Sequence, residues 1–372
     1  MRHQHLDAHC YHGGAFYQAI GEDFRSLERS RQVINADVLD AWFDPAPAVL
    51  AVLQEHLPWI LKTSPPTQAS GMRHAIATAR GLPPATILPG GGSSDLIFLA
   101  LGRLLSRGNR VLILDPMYGE YSHVLERVIG CQVDRLPLRR DQGYGLDLGV
   151  LAERIAQGYD AVLLVNPNSP TGQFTPSQRL AEVLAQAPAK TWLWIDETYL
   201  NYVDEGNSLE FLASQSKRLL VCVSMSKTYA LSGARCAYLC GPEAVLHDLR
   251  QWTPPWSVSH AAQIAACVAL ENLEYYRTCW LTTTILRQEL STGLTDLGLD
   301  PVPGVANFVL AHLTADHPRA SQVIAYCQRQ NLYLRDVTSM GQSWGEDVIR
   351  IAVKDRTTNA RMLAILAGLL AA

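Results

Sequence analysis

The segment Ser224-Met225-Ser226-Lys227-Thr228-Tyr229-Ala230-Leu231-Ser232-Gly233-Ala234-Arg235 follows an apolar run, Leu219 to Val223, that reads as a buried strand. A lysine set just past a strand end, among hydroxyls and small residues, is poorly solvated. It gives up its proton more easily than an exposed lysine and can condense with a carbonyl. Ser224, Ser226 and Arg235 can together hold one phosphate, the hydroxyls as donors and the guanidinium as a two-pronged clamp. The competing reading is that Lys227 merely opens an exposed loop.

The chain has five lysines, Lys62, Lys190, Lys217, Lys227 and Lys354. Lys217 stands beside Arg218 at a strand entry, Lys190 lies in a Pro-Ala-Lys-Thr turn, and Lys62 and Lys354 border polar loop residues. Only Lys227 combines a preceding strand, neighbouring hydroxyls and a downstream arginine. A carbonyl-reactive lysine beside a phosphate site is the pair that pyridoxal phosphate requires.

Outward from this segment the pattern alternates. Strands are expected at Arg110–Leu114, Ala161–Val165, Trp192–Ile195, Leu219–Val223 and Ala237–Cys240, with helical patterns between most of them, such as Asp95–Leu105 and Pro176–Gln186. Alternation of this kind predicts an α/β fold with a mostly parallel sheet covered on both faces. Residues 1–47 read as an N-terminal arm, with a turn at His12-Gly13-Gly14, a short helix from Phe16, and Asp44-Pro45-Ala46-Pro47 capping a helix over Ala48–His56. Residues 48–254 read as the large domain. After Pro254-Pro255 a smaller α+β domain is expected over residues 255–372. One long helix runs from about His260 into the Leu290 region, then strands near Phe308–Leu310, Tyr333–Leu334 and Ile349–Val353, and a closing helix from Ala360.

Composition narrows the function. A chain of 372 residues with nearly half of them hydrophobic builds a large core, and a net charge of −4 points to neither nucleic acid nor a membrane surface as partner. No apolar run reaches the roughly 18 residues of a spanning helix. The start, Met1-Arg2-His3-Gln4-His5, lacks a hydrophobic leader, and the eight cysteines are scattered without a Cys-x-x-Cys pair. A cytoplasmic protein with reduced thiols is expected. His3, His5, His9 and His12 lie close in sequence, and a solvated arm is preferred to a metal site.

Open parallel sheets bind ligands beyond the carboxyl ends of their strands, so the residues there are the candidates. Gly90-Gly91-Gly92-Ser93-Ser94-Asp95 precedes a helix and offers free N–H groups to an anion, although a plain helix cap explains the same letters. Tyr118, after Asp115-Pro116, can stack on a planar heterocycle. Asn166-Pro167-Asn168-Ser169-Pro170-Thr171-Gly172 is a stiff loop that can aim a short polar side chain. Asp196 ends a strand, with Tyr199 three residues on; a buried carboxylate needs a cation, either a protein salt bridge or a protonated pyridine nitrogen. Arg350, inside Val348-Ile349-Arg350-Ile351-Ala352-Val353, needs an anion, while Arg335 has Asp336 beside it.

The order of these features, all at strand ends, resembles the fold-type I pyridoxal-phosphate enzymes. Within them the chain is most similar to the class I/II aminotransferases of the histidinol-phosphate aminotransferase and threonine-phosphate decarboxylase branch. The resemblance runs from His12-Gly13-Gly14 to the last helix and is strongest at Ser224-Met225-Ser226-Lys227, Gly233-Ala234-Arg235 and Ile195-Asp196-Glu197-Thr198-Tyr199. It implies that Lys227 forms the Schiff base, Asp196 pairs with the pyridine nitrogen and Tyr199 bonds the ring hydroxyl. It further implies Tyr118 stacked on the ring, Asn168 and Ser169 beside it, and Gly92, Ser93, Ser94, Ser224, Ser226 and Arg235 around the phosphate. Arg350 is implied at the α-carboxylate of an amino-acid substrate and Arg335 at a distal phosphate or acid, in a homodimer with shared sites. Three positions depart from the family. Ser169 replaces an asparagine, Thr63-Ser64-Pro65-Pro66 lacks the tyrosine that reaches the neighbouring subunit, and Trp256-Ser257 replaces Tyr-Asn. Transamination ranks first by family frequency. Decarboxylation is suggested by His12-Gly13-Gly14, and elimination or cyclisation by the departures. A DNA-binding regulator built on the same cofactor site would need a basic segment that the chain lacks.

Overall fold

The computed structural model describes residues 12–370 except 343, 345 and 346. His3, His5 and His9 therefore lie outside the described residues. Among the described residues no group of three or more histidine, cysteine, aspartate or glutamate side chains could hold a metal ion, and no helix is long and apolar enough to cross a membrane.

The strands are β1 (Ile34–Ala36), β2 (Ile87–Gly90), β3 (Arg110–Asp115), β4 (Gln132–Pro137), β5 (Ala161–Val165), β6 (Trp192–Asp196), β7 (Leu219–Ser224), β8 (Ala237–Cys240), β9 (Asp300–Val302), β10 (Phe308–His312), β11 (Leu332–Asp336) and β12 (Val348–Ala352). Among the described residues they form two sheets. One has seven strands in the order β2-β8-β7-β6-β5-β3-β4, and the other five in the order β1-β11-β12-β10-β9.

In the seven-stranded sheet β4, β3, β5, β6 and β7 run parallel, and β8 is antiparallel to both β7 and β2. β5 and β7 are buried along their whole length, because helices cover both faces of a parallel sheet and leave no solvated side. The carboxyl ends of β3, β5, β6 and β7 therefore open on one crevice. The reversed β8 brings its amino end to the same rim, so Arg235, two residues before it, arrives beside Lys227, three residues after β7.

In the smaller sheet β10 pairs antiparallel with β9 and β12, and β11 with β12. Its edge holds a correction to the N-terminal reading. Ile34–Ala36, within the expected arm, pair parallel with Leu332–Leu334. A three-residue strand is too short for a periodicity to reveal. The long helix expected after Pro254 is two helices, His260–Glu271 and Leu273–Asp296, broken where Asn272 leaves the helical region. The helix expected over Ala48–His56 runs Pro47–Lys62 and contains Pro58. The closing helix begins at Arg356 rather than Ala360.

Candidate active site

Between the two sheets lies a cleft of about 790 Å³ of atom-free space, lined by residues from β5, β6, β7 and β12 together with the segment after β1. Ser93, Ser94, Tyr118, Ser169, Asp196, Tyr199, Ser224, Ser226, Lys227, Arg235, Arg335 and Arg350 all line it. Gly92 and Asn168 do not. Asn168 is buried behind the wall, donating to the Pro116 carbonyl at 3.1 Å and to Thr171 Oγ1 at 3.0 Å. It stiffens the loop that carries Ser169.

Lys227 sits on a single helical turn, Met225–Thr228, capped by Ser224 Oγ accepting from Ser226 N at 3.3 Å. Two outside donors pin this turn: Tyr202 Oη bonds the Lys227 carbonyl and Trp280 Nε1 the Thr228 carbonyl, each at 2.7 Å. The lysine is therefore aimed by backbone restraint rather than by its flexible stem. Burial lowers the Lys227 ammonium below the ordinary lysine value, opposed by a carboxylate, Asp40, whose Oδ1 lies 3.0 Å from Nζ. Nothing at the sequence level singled out Asp40. The rule applied to Asp196, that an acid among apolar neighbours needs a cation, would have found it in Val38-Leu39-Asp40-Ala41.

The phosphate candidates converge. Gly92, at φ 101°, caps the helix Ser93–Leu104. A Cβ at Gly92 would overlap the Arg235 guanidinium, so glycine is what lets arginine lie against the helix N-terminus. Arg235 donates to the Ser232 carbonyl at 3.1 Å and approaches Ser226 Oγ at 3.5 Å. Ser94 Oγ donates to Glu120 at 3.0 Å, and Tyr118 Oη donates to the same Oε2 at 2.6 Å. Glu120, buried and also unforeseen, thus ties the helix start to the ring of Tyr118.

Asp196 is 3% exposed and accepts from Tyr121 Oη at 2.7 Å and Thr198 N at 3.0 Å. Both donors are neutral, so the salt bridge weighed from sequence is not what holds it. Burial, without a cation to offset it, raises its carboxyl above the ordinary value. Burial likewise pushes the Tyr199 hydroxyl up to about 12.

Arg335 and Arg350 stand directly opposite each other across β11 and β12, so both side chains leave the same face. Asp37 lies between them. Its carbonyl accepts from Arg350 at 3.4 Å, and its Oδ1 is 3.6 Å from Arg335. Arg335 also donates to the His12 carbonyl at 2.6 Å; it turns to the N-terminal segment rather than to Asp336. Gly13 permits this packing, since a Cβ there would come within 2.6 Å of Asp37 Oδ1. Arg350 donates to Ser169 Oγ at 3.1 Å, while its buried Nε has no partner among the described residues. Burial brings Arg350 down to about 10, partly countered by Tyr199. Lys354, read from sequence as a loop lysine, donates to the Asp40 carbonyl at 3.2 Å.

A partly buried lysine, a buried carboxylate without a cation among the described residues, and an arginine seated on a helix start, on this fold, are the site of a fold-type I pyridoxal-phosphate enzyme acting on an amino-acid substrate. Residues 37–366 match the family model "Aminotransferase class I and II", and the chain belongs to that family. Among curated relatives, histidinol-phosphate aminotransferase 2 of Ralstonia nicotianae is 30% identical over 82% of this chain and 81% of its own. The histidinol-phosphate aminotransferase 2 of Carboxydothermus hydrogenoformans is 27% identical over 92% and 93%. Among solved structures, histidinol-phosphate aminotransferase from Sinorhizobium meliloti, in complex with pyridoxal-5'-phosphate, superposes with a TM-score of 0.84 at 20% identity over 96% of this chain and 97% of that one. L-threonine-O-3-phosphate decarboxylase from Porphyromonas gingivalis gives 0.76 at 22% identity over 91% and 100%. The fold is therefore shared by transaminating and decarboxylating enzymes.

Proposed function

We propose that the protein is an aminotransferase for an α-amino acid. The observation that carries this reading is Arg350, a buried guanidinium whose Nε has no partner among the described residues, lining the same cleft as Lys227 and Asp196. A buried arginine of this kind calls for a carboxylate.

The residues fit pyridoxal phosphate. Ser93, Ser94, Ser224, Ser226 and Arg235 would hold its phosphate, Asp196 its ring nitrogen, Tyr199 its ring hydroxyl, and Lys227 its carbonyl. Tyr118 would stack on the ring. When bound, the cofactor supplies an electron sink that acidifies the Cα–H bond of an amino acid. The chain's own residues do the rest. Asp196, buried in a water-poor setting where charge interactions are strong, would supply the negative charge that pairs with the ring nitrogen. Arg350 fixes the α-carboxylate, with Ser169 bracing the guanidinium, so that Cα–H is presented to Lys227. Lys227 Nζ, neutral when released, takes the Cα proton and can return it elsewhere, as a general base and then acid.

The named relatives support transamination. We also propose a homodimer, with support from apolar side chains left exposed next to the departing segments. Trp59 and Leu61 flank Thr63–Pro66, and Trp256, also exposed, donates its backbone N–H to the Thr67 carbonyl at 3.2 Å.

The test is a panel of amino acids with purified protein, read by absorbance and mass spectrometry. Keto acid with stoichiometric conversion of the bound aldehyde to its amine form is the expected result. Release of carbon dioxide with an amine, or a dehydrated or cyclised amino acid, refutes the aminotransferase reading.

A further inference from the structure

Asp40 lies between two lysines. Its Oδ1 accepts from Lys227 Nζ at 3.0 Å, its Oδ2 is 3.4 Å from Asn35 Nδ2, and its carbonyl accepts from Lys354 Nζ at 3.2 Å. Lys227 Nζ also reaches Ser232 Oγ at 3.3 Å. Other titratable groups face the trio: Arg235 and Arg350 toward Lys227, the Tyr199 hydroxyl toward Asp40, and Asp355 toward Lys354. Burial brings Lys354 down to about 8, with Asp40 opposing and Lys227 adding to the fall. Asp40 itself, though burial works against it, is held below the ordinary carboxyl value chiefly by Lys227.

Lys227 has two opposed tasks. It must be neutral to attack a carbonyl, and it must carry a proton once it has taken one from Cα. Burial and the two arginines favour the neutral amine; Asp40 favours the ammonium. We propose that Asp40 is a positioning residue that sets the basicity of Lys227, with Lys354 as the competing cation that keeps Lys227 releasable. The proton moves from Cα to Lys227 Nζ, leaving its electron pair on carbon. Asp40 accepts the ammonium's hydrogen bond without taking the proton. Asp40 paired to Lys227 alone would hold the ammonium too firmly for carbonyl attack; Lys354 on the same residue offsets part of that charge. This inference rests on Lys227 being the reacting lysine of the proposed function.

The experiment follows the amine of Lys227 itself. Full-length protein freed of cofactor is acylated with acetic anhydride over a range of pH, and the rate at the Lys227 peptide is read by mass spectrometry. Asp40→Asn is expected to lower the midpoint by about one to three pH units, the span an opposite charge at this distance commands. Labelling near neutral pH should accelerate correspondingly. Lys354→Gln is expected to move the midpoint the other way, and this arm carries the test should Asp40→Asn not fold. In the loaded enzyme, the acid limb of Cα hydrogen exchange should move down in Asp40→Asn with the half-saturating amino-acid concentration unchanged. An unchanged midpoint in either variant overturns the role of Asp40 and Lys354. Borohydride fixing the cofactor to a lysine other than Lys227 overturns the underlying assignment instead, so the two failures are distinct.

Discussion

Asp196→Asn removes one charge and one of two acceptor oxygens at nearly constant shape. The donors that reach Asp196, Tyr121 Oη at 2.7 Å and Thr198 N at 3.0 Å, address separate oxygens. An asparagine keeps the shape and retains one acceptor oxygen. What is lost is the attraction between a buried carboxylate and a protonated pyridine nitrogen. Hydrogen bonds to charged groups contribute about 1.5–3 kcal/mol, against about 0.5–1.5 for neutral ones. Taking about 2 kcal/mol as the loss, cofactor affinity should fall about 30-fold. The cofactor-free protein should lose little stability, because the amide avoids the burial cost that raises the carboxyl, and this offsets the loss of one of the two hydrogen bonds. Titration of the cofactor-free variant with pyridoxal phosphate, followed by absorbance, reads the affinity, and thermal unfolding of the same sample reads the stability. Turnover should drop at least about a hundredfold, since an uncharged partner cannot sustain the electron sink. Wild-type affinity and near-normal turnover in this variant would make Asp196 a structural residue and refute the reasoning.

Two further predictions concern the surroundings. Gly92→Ala should weaken cofactor binding by displacing Arg235 and should lower stability to urea by about 1–3 kcal/mol, the cost of a side chain in an extended positive-φ conformation that only glycine adopts readily; an unaltered phosphate-competition curve would count against the arginine's seat at Gly92. Glu197 is pushed up to about 8, by burial first and then by Glu210, from an ordinary 4.5. The native state thus keeps a proton that the unfolded chain has released, and this contribution to stability is complete below the unfolded value and lost as pH rises through the folded one. Glu197→Gln should flatten that decline by up to about 1.4 kcal/mol per pH unit, measured by urea unfolding across the interval; an unchanged slope would show that Glu197 is ionised in the native protein.

The sequence made the strand ends legible because each apolar run ends abruptly in a polar residue that a parallel sheet must present at one rim. Lys227, Asp196 and Ser224 were found that way, and Arg350 as a charge inside an apolar strand; all four line the cleft. Asn168 belonged to the same kind of loop, yet its amide turns inward; local sequence cannot say which of two adjacent polar residues faces the ligand. Asp37, Asp40 and Lys354 were missed for a different reason. Their roles arise from long-range contacts, Asp40 meeting Lys227 across 187 positions; the apolar neighbours of Asp40 mark it as an acid in need of a cation but do not say which cation. Lys354 follows a strand, as Lys227 does, but without the hydroxyls that drew attention to Lys227.

The parallel pairing of Ile34–Ala36 with Leu332–Leu334 makes the N-terminal segment a protective border. It caps one margin of the smaller sheet and hands the chain directly to Asp37 and Asp40. A truncated protein starting after residue 47 would uncover the backbone N–H and C=O groups of β11 that this segment occupies. An unpaired strand edge recruits strands from other chains, so the shortened protein should self-associate. Its loss of activity would then have two origins, the missing partners of Arg335 and Lys227 and molecules sequestered in aggregates, and light scattering would separate them.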